Sequence, residues 1–277
     1  MEVKKYAIVM DVSPSEQISP NPKEVKILAV VIGLYQHDSF EKVGRDAEDD
    51  SNRLALKKWS GASKKYKKNF LIHADKLRND GKVIFGAETI NDEMISDIGN
   101  CVIKFYFGML PEPSSLNKKG LPRIMISEIN LFGKEFPKTE ILVNDLKVIA
   151  WYAYSIAALY NMLSNINADY TVKLDVLVDN LPNERGGYYK ARILRKFVER
   201  MTKNLATVVG VPAKGDAVQR DIFVDNLAGL GRELELQRCK WMDADEKKLA
   251  KSLYAITSNH IIGLATPDNV MSISEEE

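Results

Sequence analysis

The sequence predicts an α/β protein in which a mixed sheet carries helices on both faces. Apolar, strand-like runs open the chain, and later strand-like runs alternate with long helical segments, a pattern that favours helices packed on a sheet. The 277 residues are 45% apolar and 28% charged, as in an ordinary globular protein. We therefore expect a single domain over residues 1–277 with three additions. These are a helical insertion at about 41–80, a loop at 111–122 and an acidic tail at 272–277.

The first half of the chain is expected to begin with two antiparallel strands. Residues 5–12 and 25–35 are mostly apolar, as is typical of buried strands. Residues 41–78 carry acids early and lysines late, which suits a helix dipole, and Gly61 is expected to divide this region into two helices. The elements expected next are a strand at 82–85, a helix at 91–110, the loop at 111–122 and a strand at 123–132.

The second half is expected to contain a buried helix followed by a strand that ends in an acid. Residues 144–165 are apolar nearly all round, so this helix should be covered on more than one side. Residues 170–182 alternate apolar and polar side chains, the period of a strand, and Asp179 stands near the end. The elements expected after it are a basic helix at 185–204, a short apolar run at 206–211, a helix at 216–237 capped by Asp216, and a last helix at 243–256.

The composition limits the function classes. A net charge of +1 gives no overall attraction to nucleic acid or membranes, so any such attraction must come from local patches. Cys101 and Cys239 lack Cys-x-x-Cys spacing, which predicts reduced thiols in a cytoplasmic protein. The chain opens on a strand-like run instead of a leader, and the apolar stretch at 146–163 contains Lys147, so we expect no membrane partner. Phosphate-loop, dinucleotide and nucleophile-elbow motifs do not occur.

Three aspartates, Asp11, Asp179 and Asp225, are the candidate catalytic residues. The first two stand near the ends of predicted strands, and Asp225 is a lone acid in an apolar helical stretch. If the strands are parallel neighbours, their carboxyl ends lie at one edge of the sheet. Converging carboxylates need a cation, and hard oxygen ligands suit Mg²⁺ or Mn²⁺, which could activate water for phosphodiester cleavage. Asp175 is a further candidate metal ligand, while helix capping and strand ending remain open as structural roles for each aspartate.

A basic helix follows the acidic strand and could contact the phosphates of nucleic acid. A solvated helix face is the alternative interpretation. The candidate nucleic-acid-binding residues are Arg185, Lys190, Arg192, Arg195 and Lys196.

The order of these features resembles ribonuclease H-like proteins, most closely the bacterial and phage family named domain of unknown function 3800. The resemblance rests on an early strand with Asp11, a long apolar helix, a strand ending in Asp179, and residues 224–229, Val-Asp-Asn-Leu-Ala-Gly, on a late helix. It implies a ribonuclease H-like fold and a metal-dependent nuclease or phosphoesterase, a hydrolase that binds nucleic acid and uses magnesium or manganese.

One departure from the family's pattern favours another function. The family usually continues its first aspartate with Glu-Ser-Gly, whereas Asp11 is followed by Val12, Ser13 and Pro14. The alternative is a catalytically inert binding or assembly subunit of a bacterial or phage conflict system, such as phage defence. Such a subunit would work as a homo-oligomer or with a protein partner. An unrelated small-molecule α/β enzyme also stays open.

Overall fold

The computed structural model describes residues 2–14, 18, 24–34, 58–79, 83–107, 110, 112–125, 140–178, 187–210 and 219–253. The strands are β1 (Glu2–Ser13), β2 (Val25–Leu34), β3 (Val83–Asn91), β4 (Ser115–Leu116), β5 (Pro122–Met125), β6 (Glu140–Leu142), β7 (Tyr170–Val178) and β8 (Ala206–Gly210). The helices are α1 (Lys64–Asn79), α2 (Asp92–Phe107), α3 (Val143–Ile166), α4 (Gly187–Met201), α5 (Gln219–Glu235) and α6 (residues 244–253).

A five-stranded mixed sheet with the order β3-β2-β1-β7-β8 forms the centre of the molecule. β1 pairs antiparallel with β2 and parallel with β7, and β8 continues the parallel side. The antiparallel pairing expected for the first two strands is therefore confirmed. Because β1, β7 and β8 run in one direction, their carboxyl ends lie at the same edge of the sheet.

Both faces of the sheet are covered by helices, because successive strand residues point to opposite sides. On β1, Ile8 and Met10 lie in a core with α2, α3 and α4. Ala7 and Val9 face the other way, into a core with α1, α5 and α6. The expected mixed α/β sheet with helices on both faces is confirmed.

Helix α3 is buried on nearly every side between Leu146 and Leu163, as its apolar sequence predicts. It packs against α2, α4, β7 and the small second sheet. Within the described residues, no helix combines the length and the apolar composition that a bilayer crossing requires.

The close packing of α2 on α3 depends on Gly99. A Cβ atom at this position would clash with the backbone carbonyl of Lys147, with the carbonyl carbon and the Cα atom both 2.9 Å away. We expect Gly99→Ala to lower the free energy of unfolding by about 1–3 kcal/mol, because backbone cannot move as a flexible side chain does. Urea unfolding measures the change. Cys101→Ala, at an exposed position of the same helix, is the control, and equal stability of the two variants would contradict the close approach.

Some element boundaries differ from the expectation. The segment expected to be a loop at 111–122 contains β4, which pairs with β5 around a turn where the Asn117 side chain accepts hydrogen bonds from the backbone N–H groups of Lys119 and Leu121. β5 and β6 complete a separate three-stranded sheet with β4, so the predicted strand at 123–132 is not part of the main sheet where it is described. β3 continues to Asn91 because its whole length pairs with β2.

Several predicted features lie outside the described residues. Among them are Asp216, the end of the chain after residue 253, and residues 41–57 and residue 80 of the predicted helical insertion. A capping box occurs instead before α6, where the side chains of Asp243 and Glu246 each accept a hydrogen bond from the backbone N–H of the other, at 2.9 Å.

Candidate functional site at the carboxyl end of β1

Asp11 is a buried carboxylate at the carboxyl end of the central strand. Only 3% of the residue is exposed, and its Oδ1 accepts a hydrogen bond from the backbone N–H of Val12 at 2.8 Å. The strand alternation gives Asp11 the same orientation as Val9, towards the core that contains α5. This buried acid is the strongest functional feature among the predicted residues, because it lies at the carboxyl edge of parallel strands, where open α/β sheets usually bind ligands.

Asp179 lies outside the described residues. The register of β1 and β7 pairs Met10 with Val178, the residues that precede Asp11 and Asp179 in the chain. The parallel, adjacent arrangement that the sequence analysis required of these two strands is thus present. The position of the Asp179 carboxylate itself stays a prediction.

Asp175 does not belong to the Asp11 site, which corrects one of the predicted metal ligands. It is opposite Ala7 in the register, four residues before Asp11, which is about 13 Å along a strand. Its carboxylate forms an ion pair with Lys5. The register places Asp175 on the same face of the sheet as Asp11, but distance along the strand separates the two residues.

Asp225 lies on α5, but its side chain contacts the segment before α1 and not the Asp11 site. Its carboxylate accepts a hydrogen bond from the backbone N–H of Trp59, with Lys58 contributing a nearby positive charge. Gly229, one turn later on the same helix face, packs against Trp59, since a Cβ atom there would lie 2.5 Å from the indole ring. Asp225 therefore joins α5 to the segment that leads into α1.

The predicted cluster of three carboxylates is not present within the described part of the chain. No group of three histidine, cysteine, aspartate or glutamate side chains there could hold a metal ion. Any shared metal site with Asp11 therefore needs a ligand from outside the described ranges, such as Asp179.

The Asp225 carboxyl makes stability depend on pH. Burial raises the pKa of this group, and the Trp59 hydrogen bond and the Lys58 charge oppose the rise. The folded state then holds the proton more tightly, so the wild type loses stability as pH rises from the ordinary aspartate pKa near 4 through the raised folded pKa. We expect Asp225→Asn to gain stability relative to wild type over that interval.

Urea unfolding between about pH 4 and pH 8 measures this difference. Asp97→Asn, at an exposed position on α2, is the matched control. A constant difference between Asp225→Asn and wild type at every pH would contradict the assignment.

The basic helix buries one member of the predicted row of cationic side chains and exposes others, including Arg195 and Lys196. Lys190 is only 8% exposed and forms an ion pair with Asp145 of α3 at 2.6 Å, so this prediction of a nucleic-acid contact is wrong. The Nε of Arg195 donates to the carbonyl oxygen of Val208 at 2.8 Å, which joins α4 to β8.

The remaining members of the predicted row differ in exposure. Lys196 is exposed and pairs with Glu199 on its own helix, and Arg192 is half-buried. Arg185 lies outside the described residues. Two of the side chains that the sequence pattern assigns to nucleic acid, Lys190 and Arg195, thus form contacts that pack α4 against α3 and β8.

A cavity of about 740 Å³ lies on the Asp11 face of the sheet and was missed by the sequence analysis. β2 and β3 supply Ile27, Ala87 and Thr89 to its lining, and α5 and α6 also border it. The register pairs Ala87 with Ala29 and Ala29 with Asp11, so the cavity lies at the same edge as Asp11, across the two neighbouring strands β2 and β3. The sequence feature that could have indicated this cavity is the pair Lys247 and Lys251, which are four residues apart on the last helix.

Compared with models of known protein families and with curated proteins, the sequence matches none of them. Function is therefore inferred from the chemistry of the site.

Proposed function

We propose that the protein is a ribonuclease H-like, metal-dependent nuclease or phosphoesterase that acts on nucleic acid. The observation that carries the proposal is the buried carboxylate of Asp11 at the carboxyl end of the central strand, beside the parallel strand β7. The carboxyl edge of parallel strands is the usual ligand site of an open α/β sheet. A mixed sheet with helices on both faces is also the architecture that the resemblance implies.

Asp11 would hold the metal ion together with Asp179, which remains a prediction from the sequence. Carboxylate oxygens are the ligands that Mg²⁺ and Mn²⁺ prefer, and Asp11 places such oxygens at the carboxyl edge of the sheet. When bound, such an ion supplies an activated water and stabilises charge on a phosphoryl oxygen. Asp11 itself orients towards α5 and keeps one oxygen on the Val12 N–H group, which fixes its carboxylate.

Val12 is compatible with this proposal, although the family that the chain resembles usually has a glutamate after its first aspartate. Its side chain lies in the core with α3, on the face opposite to Asp11. An apolar residue there therefore removes no ligand from the Asp11 face of the sheet.

The alternative function, a catalytically inert binding or assembly subunit of a bacterial or phage conflict system, is favoured by Asp225. The Asp225 carboxylate accepts a hydrogen bond from the backbone N–H of Trp59. This contact joins two helical regions and needs no metal. In that case the late-helix motif stabilises the fold, and the protein binds its partner without hydrolysis.

Cleavage assays distinguish the two functions. Labelled single- and double-stranded DNA and RNA are incubated with Mn²⁺, with Mg²⁺ or with chelator. We expect metal-dependent cleavage that Asp11→Asn abolishes and that Asp225→Asn retains. Binding without cleavage of any of the four substrates would contradict the hydrolase and support the inert subunit.

A further inference from the structure

The cavity at the carboxyl edge of the sheet has the composition of an anion-binding site. We propose that it binds a phosphomonoester of nucleotide size, either as a free nucleotide or as the phosphorylated end of a strand. This inference does not depend on hydrolysis at Asp11, because it rests on the cavity's own lining.

The inner part of the cavity is apolar. Ile27 and Ala87 from the sheet and Cys239 from the segment after α5 are buried and contribute aliphatic and thiol surface. Thr89 adds a hydroxyl group from the same sheet edge. Burial raises the pKa of the Cys239 thiol, with the negative charge of Glu233 adding to the rise. A flat apolar or aromatic group can therefore be placed against this surface without burying an unpaired charge.

The rim of the cavity is cationic. Lys240, Lys247 and Lys251 contribute three positive charges to the lining, against one negative charge from Glu235. Lys247 and Lys251 are four residues apart and therefore lie on one face of α6. This excess of positive charge opposes a metal cation and favours an anionic group.

The three rim lysines differ from their neighbours in pairing. Lys67 and Lys68 on α1 form ion pairs with Glu233 and Glu246. Over the described ranges, no carboxylate lies within ion-pair distance of Lys240, Lys247 or Lys251. With respect to that part of the chain, their ammonium groups are therefore available to a bound anion.

The volume of the cavity favours an ester of nucleotide size over a bare anion. A volume of about 740 Å³ falls within the range of roughly 300–1,000 Å³ that is typical of small-molecule sites. An inorganic phosphate ion would occupy only a small part of it and would leave the apolar surface uncovered. A nucleotide combines an aromatic base for that surface with a phosphate for the lysines.

The position of the cavity agrees with this assignment. Ile27 is one strand across from Asp11 and two residues along, a separation of about 8 Å from the strand spacings. The cavity therefore lies at the edge where open α/β sheets bind ligands.

Calorimetric titration with AMP in the presence of chelator tests the proposal. We expect saturable binding that the double variant Lys247→Ala/Lys251→Ala weakens at least about tenfold, since each lost charge-assisted bond contributes that order of affinity. Lys248→Ala, an exposed neighbour on the same helix, should bind like wild type. The titration contains chelator and measures no cleavage, so a failure of the proposed hydrolase leaves this result unaffected.

Three further ligands define the chemistry that is recognised. Adenosine and inorganic phosphate should each bind more weakly than AMP, and a 5′-phosphorylated tetranucleotide that binds more tightly than AMP would assign the cavity to a strand end. No AMP binding at millimolar concentration, or equal binding by the double variant and wild type, would overturn the proposal. Phosphate binding as tight as AMP binding would overturn it as well.

Discussion

Replacement of Lys26 by methionine is expected to lower the free energy of unfolding by about 3–5 kcal/mol. Lys26 of β2 and Asp92 at the start of α2 form an ion pair at 2.5 Å, and both side chains are only 1% exposed. Without the lysine, the carboxylate stays in the core and loses the cation that offsets its desolvation. The N-terminal position of Asp92 on α2 compensates for only part of this loss, because a helix terminus contributes about 0.3–1 kcal/mol, and up to about 2 when partly buried.

Urea unfolding of the single and double variants measures the effect. Lys26→Met/Asp92→Leu should be more stable than Lys26→Met alone, since an apolar pair leaves no buried charge. Lys118→Met, at an exposed position in the turn after β4, is the control. A loss below about 1 kcal/mol for Lys26→Met, or no recovery in the double variant, would contradict the buried ion pair.

Replacement of Asp11 by asparagine is expected to reduce kcat/KM for metal-dependent cleavage at least about 100-fold. Loss of groups that merely support a metal ligand already costs about 10–100-fold, and a direct ligand should cost no less. Asparagine can keep the hydrogen bond from the Val12 N–H group, so the fold should be retained. The measurement is the cleavage rate at saturating Mn²⁺ on the best of the four substrates.

Asp175→Asn is the matched control for this experiment, because Asp175 lies on the same sheet face but pairs with Lys5. It should cleave at close to the wild-type rate. Equal losses in both variants, or a loss of less than about threefold in Asp11→Asn, would contradict the assignment of Asp11 as a metal ligand.

The fold was predictable where the determining pattern is local. The apolar run at 5–12 and the alternation at 170–178 identify β1 and β7, because side-chain period depends on the strand itself. Helix α3 is recognisable for the same reason, from apolar residues on all sides. The extent of β3 was underestimated, since it depends on pairing with β2, a contact between distant parts of the chain.

The candidate site was predictable only in part, because its contacts join residues far apart in sequence. Asp11 could be identified from its place in a strand. The bond between Asp225 and Trp59 could not, since the two residues are 166 positions apart. The Lys190–Asp145 pair and the cavity beneath α6 likewise depend on which helices pack together. The prediction for Lys190 was based on the positive charge of its helix alone, and the fold buries this side chain.

Calorimetric titration of the purified protein with Mn²⁺ tests the proposed metal site most directly. Wild type, Asp175→Asn and Asp225→Asn should bind the ion with similar affinity, whereas Asp11→Asn should bind it at least about tenfold more weakly. This pattern would place the ion at the carboxyl end of β1, separate from the Asp225–Trp59 contact. The absence of saturable binding to wild type, or unchanged binding to Asp11→Asn, would contradict a metal-dependent hydrolase at this site.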